Sequence, residues 1–404
     1  MVQSTWDNLV EAELVSSDTV GTSERIAHRA SPFQLRAGRG IVRRSLGVVA
    51  RAAYGLFGIL TLIFGLAILA AVPVLQFASL GYLLEAGGRV GRTGRIAAGF
   101  VGISKAARIG GIIVGAWLVL LPVRFYAAMW HSARLIDRDS FTSRAGLLAL
   151  VVLGFLAVLH LIGAMLRGGR LWHFLWPFVS PRRIWRRLCR GGVYIELRDT
   201  VCDLVSELRL PHYFWLGVRG FFGGLVWLAI PVTLMAAGPK APWAGWLGAV
   251  SLGIVVLHLP FLQTHLAAEN RAAALFSWRA TRALWARAPV LFLLVLSVTL
   301  ISALPLYLLK IEMVPREAAW LPSLFFVMFI FPSRLFAGWA YARAKRRRLP
   351  RFWLLRFTAR LLALPVAALY VLVVFFSQYT AWHGVLSLYE QHAFLVPVPF
   401  LWID

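Results

Sequence analysis

Charged residues are scarce in this sequence: they make up 15% of its 404 positions, against 60% hydrophobic residues. Because soluble domains carry about 25% charged residues, this composition excludes an ordinary soluble domain. Runs without a charged residue cover 52–84, 109–123, 145–166, 220–239, 241–268, 288–309, 318–333 and 361–389. A helix that crosses a membrane needs about 20 apolar residues, which most of these runs supply alone or with uncharged flanks. The sequence therefore predicts an all-α, polytopic transmembrane helical bundle.

Acidic residues and lysine are also rare, with 17 Asp and Glu against 42 basic residues, of which 38 are Arg. Short cytoplasmic loops of membrane proteins collect Lys and Arg. Basic segments at 85–108, 167–219, 269–287 and 334–360 alternate with poorly charged segments from residue 85 onward. This alternation predicts seven crossings, with these four segments as cytoplasmic loops and 381–404 as an extracytoplasmic C-terminal tail.

The first apolar run, 52–84, has basic residues on both sides and a proline, Pro73, near its middle. Two full crossings need about 40 residues, which this run does not contain. Proline also breaks a helix. A single crossing would place one of the two basic clusters outside the cell. We therefore predict a helical hairpin of 52–72 and 74–90, either re-entrant or with a short second arm, in place of a single crossing.

An apolar leader is lacking at the N-terminus, where residues 1–45 are polar and of mixed charge. Such a composition is typical of a disordered tail and not of a cleaved signal peptide. We expect the first apolar run to act as an uncleaved anchor and residues 46–380 to form the bundle. The chain is then a multi-pass protein of the inner (plasma) membrane with a cytoplasmic N-terminus.

The hairpin with its central Pro73, followed by Gly81-Tyr82 and a basic stretch from Arg89, resembles bacterial polytopic inner-membrane families of unknown function. The resemblance covers the hairpin and the stretch that follows it. Those families carry no established chemistry, so the resemblance implies a membrane fold and no site residues.

Motifs of catalysis and metal binding are missing as well. Cys189 and Cys202 are the two cysteines, too few and too poorly flanked by His for a disulfide framework or a zinc site. The stretch 87–95, "GGRVGRTGR", lacks the Lys-Ser/Thr of a phosphate-binding P-loop. H-E-x-x-H and G-x-S-x-G are also lacking. We expect no catalytic residues, no metal and no cofactor.

Arginine is instead abundant beside the apolar runs. We expect these arginines to contact anionic lipid headgroups, with an attraction of about 1 kcal/mol for each residue. The glycines of 87–95 then form an exposed turn at the membrane surface, with a specific phosphate site as the alternative. Segment 341–360 predicts contact with anionic lipid, and segment 277–285 predicts an amphipathic helix that lies in the interface. Nucleic acid is excluded as a partner, since both segments lie between spanning helices. The arginines predicted to contact lipid are Arg89, Arg92, Arg95, Arg183, Arg186, Arg187, Arg190, Arg346, Arg347 and Arg348.

Ionisable residues inside the apolar runs are few, and such residues often mark function in membrane proteins. Three of them, His258, His265 and Glu269, share one helical face. His265 and Glu269 follow His258 by 7 and 11 residues, and both offsets bring a helical side chain back to within about 20° of the direction of His258. They form either a polar path across the bundle or ordinary hydrogen bonds between packed helices. The residues of this predicted path are His160, His258, Gln263, His265 and Glu269.

Taken together, these features favour a non-catalytic membrane component that engages anionic lipids or another membrane protein. The alternative is a small-solute or lipid transporter. The hairpin supports this alternative, as do prolines within or beside the predicted helices, namely Pro122, Pro231, Pro260 and Pro305.

Overall fold

The computed structural model describes residues 34–136, 141–176, 195, 198–199, 202–203, 206, 208–308, 320–381, 384–390 and 394–395. The chain divides into two compact units, Met1–Arg51 and Ala52–Asp404. Of the first unit, the structure describes the beginning of one helix, which continues into the second unit.

The part of the chain that the structure describes is helical and contains no strand. Its α-helices are α1 (Gln34–Ala71), α2 (Gln76–Thr93), α3 (Ile103–Ile136), α4 (Phe141–Leu166), α5 (Leu171–Leu175), α6 (Leu210–Ala236), α7 (Pro242–Glu269), α8 (Trp278–Arg287), α9 (Pro289–Leu308), α10 (Trp320–Arg346), α11 (Trp353–Thr380) and α12 (Ser387–Glu390). Short 3₁₀ helices lie at Ile96–Gly99, Ala272–Phe276 and Gly384–Leu386.

Eight of the described helices are long and apolar enough to cross a membrane. The first lies in α1, at Gly47–Ala71, and the other seven lie in α3, α4, α6, α7, α9, α10 and α11. These seven match the seven crossings predicted after residue 85. The predicted all-α polytopic bundle is confirmed.

The chain breaks between α1 and α2 at Pro73, as the sequence predicts. Val74 has a φ of 70°, and the amide of Gln76 donates to the carbonyl oxygen of Val72 at 3.1 Å. Proline cannot continue the helix because it lacks an amide hydrogen. The two predicted helices of the hairpin therefore end and begin within a few residues of their expected positions. Helix α1 begins at Gln34, inside the polar segment that was expected to be disordered.

Helix α2 is the most enclosed element of the bundle, with 15 buried residues in its 18 positions. It packs against α6, α7 and α10. At the crossing with α6, a Cβ on Gly81 would collide with the carbonyl oxygen of Tyr213, and one on Gly217 would collide with that of Phe77. Small residues let helix backbones approach closely in membranes, where lipid removes much of the hydrophobic drive for association.

Glycines also set the crossing of α2 with α7 and α10. A Cβ on Gly88 would lie 2.6 Å from the carbonyl oxygen of Ala267, and one on Gly338 would collide with that of Gly87. The prediction of an exposed turn at 87–91 is therefore wrong. These residues belong to a buried helix, and only Gly94, which ends it with a φ of 74°, serves as a turn glycine.

Two predicted loops begin later than expected. The first charged residues after the two apolar runs, Glu85 and Arg334, lie inside helices and do not begin loops. Segment 85–108 is helical as far as Thr93, and segment 334–360 is helical as far as Arg346. Both stretches carry charged side chains inside the bundle. Segment 269–287 contains the predicted interfacial helix, α8, whereas residues 177–194 of the loop 167–219 lie outside the described residues.

The described part of the C-terminal segment packs into the bundle and is not a free tail there. Ser387, Leu388 and Phe394 are at most 1% exposed. The Ser387 hydroxyl donates to the carbonyl oxygen of Ser377 in α11 at 3.3 Å. The side chain of Leu395 lies 2.9 Å from the position of a Cβ on Gly224 in α6. This arrangement arises because the segment carries apolar side chains that fill space between α6 and α11.

The crossing of α2 and α6 makes a testable prediction. Gly81→Ala lowers the melting temperature of the detergent-solubilised protein, because the new methyl group forces two helix backbones apart at the carbonyl of Tyr213. Gly154→Ala in α4 is the matched control, since among the described residues no atom outside its own stretch of helix lies within 4 Å of its Cβ position. We expect it to leave the melting temperature unchanged or raised. Equal effects of the two variants would contradict the tight crossing.

Candidate functional site

The residues of the predicted polar path make contacts with separate neighbours. The Nε2 of His160 in α4 lies 2.8 Å from the carbonyl oxygen of Phe174. The Nε2 of Gln263 donates to the carbonyl oxygen of Phe394 at 2.8 Å, while its Oε1 has no hydrogen-bond partner among the described residues. Among the described residues no hydrogen bond links these two side chains to His258, and a path through all three stays a prediction.

His265 and Glu269 do lie together, at one end of the bundle. Tyr341 donates its hydroxyl hydrogen to Oε1 of Glu269 at 3.3 Å, so His265 donates from Nδ1 to the Tyr341 oxygen at 2.9 Å. Lys345 donates to the same carboxylate oxygen at 2.9 Å. This chain of hydrogen bonds ties α7 to α10, which explains the shared helical face of His265 and Glu269.

A second polar network surrounds Glu85, whose side chain on α2 is 8% exposed. Its Oε1 accepts hydrogen bonds from Arg89 at 2.9 Å and from Arg92 at 2.7 Å. The Nε2 of His212 lies 3.7 Å from its Oε2. Arg92 also donates to the carbonyl oxygen of Ala267 in α7 at 2.7 Å. Arg89 and Arg92, predicted to contact lipid, therefore neutralise a buried carboxylate.

Further basic residues gather at the same end. Arg346 donates to the carbonyl oxygen of Thr93 at 3.1 Å, and Arg347 donates to that of Arg287 at 3.4 Å. Arg95 and Arg348 are exposed. We call this region, where α2, α7 and α10 end and α8 lies, the basic end of the bundle. The remaining predicted lipid contacts, Arg183, Arg186, Arg187 and Arg190, lie outside the described residues.

A groove of about 430 Å³ opens beside the basic end, between α7, α8 and α11. Two exposed arginines, Arg282 of α8 and Arg360 of α11, line it. Its remaining wall is apolar and aromatic. The other lining residues are Leu257, His258, Trp278, Trp285, Phe357, Leu361, Ala363 and Leu364.

His258 of α7 contacts α8 at the wall of this groove. Its ring stacks on Trp278 with 3.7 Å between the ring centroids and an angle of 21°. Its Nδ1 donates to the carbonyl oxygen of Ile254 at 3.0 Å, because a carbonyl oxygen can only accept. At the same wall, the buried Nε1 hydrogen of Trp285 has no partner among the residues that the structure describes. The groove thus combines an apolar wall with cationic side chains at its rim and an unused donor.

One buried residue was missed by the sequence reasoning. Arg334 in α10 is 4% exposed, and its Nη2 has no hydrogen-bond partner in the part of the chain that the structure describes. Its carbonyl oxygen lies 2.8 Å from the Cβ position of Gly87 on α2. The signal that could have found it is the uncharged stretch 335–342, which continues the apolar run past Arg334.

Among the described residues, no group of three or more His, Cys, Asp or Glu side chains could hold a metal ion. Compared with protein-family models, with curated proteins and with solved structures, the chain shows no match in any of the three.

The Glu85 network makes a prediction about stability. Glu85→Gln lowers the free energy of unfolding by about 1–2 kcal/mol, because it weakens two charge-assisted hydrogen bonds to a buried carboxylate. Glu269→Gln is the matched control and costs less than about 1 kcal/mol, since its partner Lys345 is 60% exposed. Denaturant unfolding in detergent measures both. A larger loss for Glu269→Gln would contradict the central role of Glu85.

Proposed function

We propose that this chain is a non-catalytic component of a cell membrane that binds anionic lipid at its basic end. The groove between α7, α8 and α11 is the binding site in this proposal. The observation that carries it is the combination of two exposed arginines, Arg282 and Arg360, with an apolar and aromatic wall.

The two halves of the groove suit the two halves of a lipid. Arg282 and Arg360 supply cationic donors for a phosphate group, with about 1 kcal/mol of attraction for each arginine near an anionic surface. Leu257, Leu361 and Leu364 supply a surface for an acyl chain. Trp278 and Trp285 suit the level of the headgroups, where aromatic rings with a polar atom are enriched.

Helix α8 supports this assignment by its sequence. The helix carries three arginines, Arg279, Arg282 and Arg287. Its other side faces the bundle, where Thr281, Leu284 and Trp285 are buried. A helix with a basic face and an aromatic, apolar face lies in the plane of the membrane interface. Such a helix places Arg282 at the depth of phosphate groups.

The proposal makes a prediction about lipid binding. The Arg282→Gln, Arg360→Gln double variant binds phosphatidylglycerol about 30-fold more weakly than the unaltered protein, because two interactions of about 1 kcal/mol are lost. Native mass spectrometry of the protein in a neutral detergent, titrated with the lipid, measures the affinity. Phosphatidylcholine should bind weakly to both proteins.

Arg279→Gln is the matched control, since Arg279 lies on the same helix and does not line the groove. We expect it to retain the affinity for phosphatidylglycerol. Equal losses in Arg279→Gln and in the double variant would indicate diffuse attraction to the whole basic end. Unchanged binding in the double variant would overturn the groove as the site.

The proposed orientation places the N-terminus in the cytoplasm and the C-terminus outside an inner (plasma) membrane. The excess of arginine in segments 269–287 and 334–360 supports it. In a background without cysteine, a membrane-impermeant maleimide should label Lys240→Cys on intact cells and Arg348→Cys only after permeabilisation. Both residues are exposed and flank spanning helices. The reverse labelling pattern would contradict the orientation.

A further inference from the structure

Arg334 lies deep within the bundle and far from both ends of its helix. Twelve residues separate it from Arg346 and fourteen from Trp320, which correspond to about 18 Å and 21 Å along the axis. It is 4% exposed. A guanidinium at this depth stays protonated at neutral pH, since arginine holds its proton more strongly than any other side chain.

No carboxylate of the described residues compensates this charge. Glu85 accepts hydrogen bonds from Arg89 and Arg92, and Glu269 accepts one from Lys345. Among the described residues Arg334 takes part in no ion pair, and its Nη2 has no hydrogen-bond partner. Buried charges in proteins are ordinarily paired, because an isolated ion loses its hydration without compensation.

We infer that Arg334 binds a small monovalent anion, a halide or a small oxyanion, at the crossing of α2 and α10. One unpaired positive charge calls for one negative charge. The ligand is small because Arg334 is 4% exposed, which closes its guanidinium to a lipid headgroup. The glycine contacts between α2 and α10 at Gly87 and Gly338 also keep the backbones close and restrict the space.

The site is independent of the lipid groove. Arg334 does not line that groove, which lies between α7, α8 and α11. Anion binding at Arg334 stabilises the folded protein by mass action, with an effect that saturates as the site fills. Screening of the exposed arginines at the basic end depends on ionic strength and not on which anion supplies it. The two effects are therefore separable by the choice of salt.

The test is a thermal melt of the full-length protein in nonionic detergent at constant ionic strength. Sodium chloride, nitrate or acetate replaces sodium gluconate, whose anion is too large for a buried site. We expect the melting temperature to rise by about 2–4 °C and to saturate with the small anion. In Arg334→Met this rise disappears, and the variant melts at least as high in gluconate, because a buried unpaired charge has been removed.

Arg343→Gln is the matched control, since Arg343 lies on the same helix and is exposed beside Trp339. It should keep the full response to small anions, as should the Arg282→Gln, Arg360→Gln variant. If Arg334→Met does not fold, line broadening of ³⁵Cl resonances by the unaltered protein, reversed by nitrate, provides the readout. Equal melting in gluconate and chloride, absence of this broadening, or a response retained in Arg334→Met would each overturn the inference.

Discussion

The close contact of α2 with the backbones of its neighbours is the constraint on which the rest of the bundle depends. Gly81 and Gly217 let α2 and α6 meet at backbone distance, and Gly87 and Gly338 do the same for α2 and α10. In a membrane, such packing replaces the hydrophobic drive that soluble proteins use. Because α2 is enclosed on several sides, its charged residues must find partners within the protein, as Glu85 does.

The buried position of α2 also arranges the basic end. Arg92 reaches from α2 to the carbonyl of Ala267, and Arg346 reaches back from α10 to Thr93. These bonds join three helices near their C-terminal ends. Helix α8 then lies beside α7, held by the stacking of Trp278 on His258. The groove with Arg282 and Arg360 is a consequence of that placement.

Two kinds of arginine follow from this architecture. Those at the basic end are mostly exposed, or bonded to carbonyl groups and carboxylates, and they suit an anionic membrane surface. Arg334 differs because it lies midway along α10 without a partner among the described residues. Arginine side chains therefore support two proposals, a lipid site at the surface and an anion site in the interior. The two sites differ in their depth along the helices.

The sequence by itself determined the class of protein and the positions of the long apolar helices, because the length of an apolar run is a local property that is set against the bilayer thickness. It also placed the break at Pro73, which depends on one residue. Only the tertiary structure decided that 87–91 is buried, that Arg334 lies inside α10 and that His258 borders a groove. Each of these depends on contacts between helices that are distant in the chain. A glycine that permits a turn and a glycine that permits a helix crossing cannot be told apart from the sequence alone.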